Sequence, residues 1–117
     1  MGREHEVRIK RVYDDPAVID GYRVLVDRLW PRGISKDEAT LDEWIKDVGP
    51  STELRSWFGH DPPKFGEFAN RYRAELKGSD ALAELRARRR EHPVVTLLYS
   101  AKDSQHNQAV VLRDLLT

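Results

Sequence analysis

Apolar and basic residues alternate through Val7-Arg8-Ile9-Lys10-Arg11-Val12, the period-two signature of a strand with one buried face. Asp15-Pro16 offers a cap and a favoured first helical position, and Gly21 a stop, so residues 16–20 read as a short helix. A second strand is expected over residues 22–29, with Val24 and Val26 on one face and Leu25, Asp27 and Leu29 on the other. Pro31 and Gly33 end it, and Ser35-Lys36-Asp37-Glu38 has the spacing of a capping box that opens a brief helix. Residues 42–48 fit two patterns. Leu41, Trp44, Ile45 and Val48 recur at helical spacing, while Trp44-Ile45-Lys46-Asp47-Val48 also reads as a strand, the reading we favour.

Gly49-Pro50 breaks the chain, and Ser51 caps a helix reaching Phe58. Asp61-Pro62-Pro63 starts another, in which Phe65, Phe68, Ala69, Tyr72 and Leu76 recur at three- and four-residue intervals until Gly78. Asp80 caps a helix to about Glu91, with Leu82 and Leu85 inward and Glu84 one turn from Arg88. Beyond Pro93, Val94 to Tyr99 is apolar on both faces, as in an interior strand of a parallel or mixed sheet. Residues 109–116 form a terminal helix, with Asp103 or Ser104 as its cap. No repeat or linker interrupts this order. It predicts one α/β domain over residues 1–117: a small open sheet, mostly parallel, with helices packed on its faces.

Charge narrows the partners. Twenty Lys and Arg balance twenty Asp and Glu, so no global field draws the chain to nucleic acid or an anionic membrane. Arg86-Ala87-Arg88-Arg89-Arg90 is flanked by Glu84 and Glu91 and reads as a solvated helix face. The absence of cysteine excludes disulfides, thiolate nucleophiles and Cys-ligated zinc. His5, His60, His92 and His106 have no metal-ligand spacing; no metal and no cofactor are expected. No apolar run reaches membrane-spanning length, and Met1 to Glu6 is too polar for a secretory signal, which predicts a cytoplasmic protein.

Candidate chemistry gathers where strands end. After Tyr99 come Ser100, Lys102, Asp103, Ser104, His106 and Asn107, polar groups at a strand-to-helix turn of the kind where α/β folds bind ligands. The helix N-terminus and Lys102 would attract a phosphate or carboxylate, His106 would serve as general acid or base beside Asp103, and Ser100 and Asn107 would orient the ligand. The turn contains no glycine, so its backbone cannot wrap an anion as a phosphate-binding loop does. At the end of the second strand, Asp27-Arg28-Leu29-Trp30-Pro31-Arg32-Gly33 sets two guanidiniums around an indole, able to fork an anion and stack on a ring. There the competing reading makes Asp27 an ion-pair partner of Arg28 or Arg32 and Trp30 a core plug. Arg55 and His60 would approach the same cleft from the next loop.

Val26-Asp27-Arg28-Leu29-Trp30-Pro31-Arg32-Gly33, with Ser51…Leu54-Arg55…Trp57-Phe58…His60-Asp61-Pro62, Arg71-Tyr72…Glu75-Leu76 and Thr96 to Asn107, resembles the YeaO-like branch of the bacterial DUF488 family of domains of unknown function. The resemblance covers nearly the whole chain. It implies an α/β domain with signature residues at strand ends, and it brings no activity with it. Longer members carry cysteine and glutamate in the counterpart of the 100–107 turn, where Ser100 and Lys102 stand here, so thiol-dependent chemistry does not carry over. Some relatives are labelled MarR-type regulators, but this chain has no winged-helix pattern and no basic recognition helix. Two functions stay open: an anion site for a phosphorylated, nucleotide-like or carboxylated small molecule, or a noncatalytic regulatory or interaction protein touching nucleic acid through Arg86–Arg90.

Overall fold

The computed structural model describes residues 5–117; residues 1–4, and with them most of the stretch read against a secretory signal, lie outside it. Four parallel strands form one sheet in the order β1-β4-β2-β3: β1 (Glu6–Arg11), β2 (Tyr22–Leu25), β3 (Glu43–Trp44) and β4 (Val94–Tyr99). The helices are α1 (Lys36–Ala39), α2 (Thr52–Phe58), α3 (Phe65–Leu76), α4 (Asp80–Glu91) and α5 (Gln108–Leu116). The expected α/β class, open sheet and interior position of the last strand are all present.

Register explains the two-sided core. β4 pairs with β1 from Glu6↔Val94 to Arg11↔Tyr99 and with β2 from Tyr22↔Val95 to Leu25↔Leu98. Val24, Val26, Val95, Leu97 and Tyr99 therefore face one layer, buried against Leu54, Phe58, Phe68, Tyr72, Leu85 and Leu112 of α2–α5. Leu25 and Leu98 face the other layer, with Val12 and Ala39, covered by Trp30, Ile34 and Leu41. Strand periodicity puts Val12 on the same side as Arg8 and Lys10, which is why it joins this smaller cluster.

Local patterns mislead where tertiary bonds decide. The second strand ends at Leu25, not Leu29. Val26 N–H still reaches Leu98 O at 3.0 Å, but the Ser100 N–H goes to the Asp27 carboxylate, and Leu29 is left 60% exposed. The helix expected over 16–20 is one 3-10 turn, Val18–Asp20, capped by Ala17, whose N–H the Asp20 carboxylate accepts; Asp15-Pro16 lies outside it. Residues 42–48 divide into the two-residue β3 and a 3-10 turn, Lys46–Val48. Ser79, not Asp80, caps α4 by accepting from Leu82 N–H at 3.1 Å. The capping box at Ser35 and the cap at Ser51 form as their spacing predicts.

Candidate functional site

A cavity of about 540 Å³ opens at the C-terminal ends of β2 and β4. Arg28, Trp30, Arg32, Arg55, Ser100, His106 and Asn107 line it, with His60; Lys102, Asp103 and Ser104 are not among its lining residues. Sequence-distant stretches thus meet in one crevice, at the place where open α/β sheets hold ligands.

Two arginines clamp loops beside the cavity, Arg28 as a lining residue and Arg11 from outside the lining. Arg28 donates to Gly49 O at 2.8 Å and Pro50 O at 3.0 Å, fastening the 48–51 loop over the strand ends. The backbone passes so close that a Cβ on Gly49 would sit 2.8 Å from Arg28 N. Tyr72 donates to Val48 O, and Glu75 accepts from Ser51 N–H at 3.0 Å and Ser51 Oγ at 2.5 Å. The signature residues Arg28, Tyr72 and Glu75 therefore fix the entry to α2, and α2 carries Arg55. Arg11 does the same on the opposite side, donating to Ala101 O at 3.0 Å and Ser100 O at 3.3 Å. Trp30 is both wall and plug: its Nε1 donates to Ile34 O at 2.8 Å while its ring meets Trp44 edge-on.

Arg32 and Arg55 are different. Among the described residues neither guanidinium has an ion-pair partner, and Arg55 Nε is buried without any acceptor. Arg32 is exposed at the mouth, its carbonyl held by Tyr13 Oη at 2.7 Å.

The terminal turn departs from its expected wiring. Asn107, 2% exposed, caps α5: its Oδ1 accepts from Ala109 N–H at 2.9 Å and Val110 N–H at 3.2 Å, and its Nδ2 donates to Asp103 O at 2.8 Å. Neither Asp103 nor Ser104 is that cap, and two of the helix N-terminal amides expected to attract an anion, those of Ala109 and Val110, are already occupied. Asp103 instead accepts from Gln105 N–H at 2.9 Å and His106 N–H at 3.1 Å, and its second oxygen holds His106 Nδ1 at 2.8 Å. The Gln105 N–H and the His106 ring keep the Asp103 carboxyl below the ordinary carboxylate value. With Nδ1 anchored and the ring set edge-on to Phe65, His106 is oriented by its neighbours, and Nε2 has no partner among the described residues.

Asp27 is the group that sequence reasoning misplaced. It pairs with neither Arg28 nor Arg32. Only 8% exposed, it lines the cavity and accepts from Ser100 N–H at 3.0 Å and from Gln108 Nε2. Burial pushes its carboxyl upward, opposed by the Ser100 and Gln108 hydrogen bonds and by the field of Arg55. A raised value means the folded state holds this proton more tightly than the unfolded chain does. Stability on this account is greatest below the ordinary value of about 4 and declines as pH rises through the raised one. Asp27→Asn, whose Oδ1 keeps the Ser100 bond while Gln108 turns its amide, should flatten that decline in melting curves taken from pH 4 to 8. An unchanged pH slope would refute the assignment.

Elsewhere the chemistry is spent. Arg88 is bound by Glu43 at 2.8 Å, Glu91 at 3.0 Å and Glu84 at 3.7 Å, at the centre of the basic run. Among the described residues no three His, Asp or Glu gather as metal ligands, and no helix is long and apolar enough to cross a membrane.

The family model described as the inactive DUF488-N3 subclade matches residues 6–117. The chain belongs to the DUF488 family. It is 50% identical over 116 residues to the uncharacterized protein Rv3073c of Mycobacterium tuberculosis, covering 99% of this chain and 98% of that one. It is 46% identical over 110 residues to the uncharacterized protein YeaO of Escherichia coli, covering 94% and 96%. No solved structure matches it significantly. In this DUF488 chain, the signature that carried the resemblance divides into loop clamps (Arg28, Tyr72, Glu75) and cavity groups (Asp27, Arg32, Arg55, His106).

Proposed function

We propose that this chain binds a small anionic molecule in the crevice at its strand ends and holds it without turnover. The observation that carries the reading is Arg55: a guanidinium on the cavity wall that has no ion-pair partner among the described residues. A carboxylate or phosphate on the guanidinium's terminal nitrogens would make charge-assisted hydrogen bonds, each worth about 1.5–3 kcal/mol. Arg32 at the mouth adds the second charge, and His106 Nε2 adds a further polar contact. Trp30, Phe58 and Phe68 supply apolar wall, and the volume suits a small metabolite. The subclade's description as inactive supports binding over catalysis, as does a cysteine-free turn. A cytoplasmic setting fits a ligand of this kind. Nucleic acid has less support, since Arg88 is bound by three carboxylates.

Thermal shift with inorganic phosphate, succinate and 3-phenylpropionate tests this. Ligand at about a hundred times its Kd adds about 2.7 kcal/mol, roughly 11 °C for a chain of this length. Arg55→Ala and Arg32→Ala should each weaken binding about tenfold or more, while Lys102→Ala, outside the cavity, leaves it unchanged. Equal shifts in all four proteins, or none in the parent, would reject the proposal.

A further inference from the structure

Arg55 and Asp27, a guanidinium and a carboxyl group, face the same cavity, yet they form no ion pair with each other. Asp27 receives only neutral donors, the Ser100 N–H and the Gln108 amide, and among the described residues no cation lies within ion-pair distance of it. A carboxylate taken out of water without a cation is costly to the fold, and it would weaken, without abolishing, the binding of a purely anionic ligand to the neighbouring guanidinium. One molecule satisfies both groups only if it carries an anion and a cationic donor a few atoms apart.

The walls add a third requirement. Trp30, Phe58 and Phe68 give the cavity an apolar flank, with Tyr13 at its mouth, so the remainder of the ligand is apolar or aromatic. A free phosphate uses neither Asp27 nor this flank. We propose that the ligand is a zwitterion of the α-amino-acid type, its carboxylate on Arg55, its ammonium on Asp27 and its side chain against the aromatic wall. The proposal rests on the anion-site reading above and narrows it. Asp27 becomes the specificity-determining residue, and the missing Arg55–Asp27 ion pair is the vacancy that the ligand bridges.

Calorimetric titration of the full chain with phenylalanine and leucine tests this, each beside its desamino acid (3-phenylpropionate, 4-methylpentanoate) and its decarboxylated amine (phenethylamine, isopentylamine). Inorganic phosphate serves as the bare anion. At least one amino acid should bind roughly ten- to hundredfold tighter than both of its analogues, the worth of one charged hydrogen bond. Asp27→Asn should abolish the discrimination against the desamino acid while leaving that acid's own affinity intact or improved. Desamino acids that bind as well as the amino acids would overturn the zwitterion and leave the anion site standing; amines that bind as well would overturn it too. Binding by none of these probes, phosphate included, would overturn both readings. If Asp27→Asn does not fold, the comparison within the parent protein decides.

Discussion

A Gly21→Ala variant is expected to melt roughly 12 °C below the parent, from a cost of about 3 kcal/mol split between backbone strain and overpacking. Gly21 has φ 65° and ψ −131°, a conformation that side chains avoid. A Cβ there would lie 2.4 Å from Val94 O and 2.8 Å from Val94 Cβ. The obstruction is backbone, and it belongs to the strand with which β2 must pair, since Tyr22 and Val95 are register partners. The methyl group gains room only if β2 lifts from β4 at its first residue. Read as a helix stop alone, position 21 would accept asparagine, which tolerates the left-handed helical well; the observed ψ lies outside that well. Gly21→Asn should therefore fail as badly as alanine. Denaturant melts of both variants decide the matter, and an asparagine variant near parental stability would show that the close approach to Val94 can be relieved.

That glycine illustrates what a sequence can and cannot disclose. Its role as a terminator is local, a matter of which residues visit positive φ, and was legible. The strand that presses against it is 73 positions further along the chain and left no mark nearby. β1, β4 and α3 were readable because their periodicity records burial along the whole element. β3 is legible only as a strand drawn too long, over 44–48, because two residues held by Asp42 N–H to Arg23 O and Ile45 N–H to Leu25 O have no periodicity to set their bounds. The site divides in the same way. Ser104, Asp103 and Asn107 are three good caps within five positions, and only packing selects Asn107. Arg28, Arg32 and Arg55 are chemically identical; which one meets the carbonyls of Gly49 and Pro50, and which is left with a bare Nε, is decided by the fold. Asp27 does carry a signal, an acid directly after the apolar run Val24-Leu25-Val26, but the adjacent Arg28 and Arg32 offer a structural ion pair as a competing explanation.

Asp20→Ala is expected to cost about 3–5 kcal/mol, because it strands a buried guanidinium. Arg23 is 4% exposed and lies 2.5 Å from Asp20; its other bonds run to Thr40 O at 2.8 Å and Ala39 O at 2.9 Å. Asp20 also accepts from Lys10 at 3.1 Å and Ala17 N–H at 3.0 Å, and its carbonyl takes the Thr96 hydroxyl at 2.6 Å. Removing the carboxylate leaves Arg23 charged in the interior with only carbonyl dipoles around it. The double variant Asp20→Ala/Arg23→Met should recover part of the loss, since an apolar pair of similar volume removes the uncompensated charge; a double variant weaker than the single would show that the arginine's bonds to α1 outweigh its burial. The acid limb gives an independent reading. Burial raises the Asp20 carboxyl, but the Ala17 N–H, Lys10 and Arg23 outweigh it and leave the net value lowered. The folded state therefore sheds this proton more readily than the unfolded chain. Its contribution is complete above about pH 4 and is lost as pH falls through the lowered folded value, so the parent should lose stability on acidification more steeply than Asp20→Ala. The Asp20–Arg23 pair sits at the start of β2, and the cavity lies beyond that strand's C-terminal end. Ligand binding to the folded fraction of Asp20→Ala should match the parent, whereas Arg55→Ala should lose binding with little loss of stability, because its guanidinium has no partner among the described residues to give up.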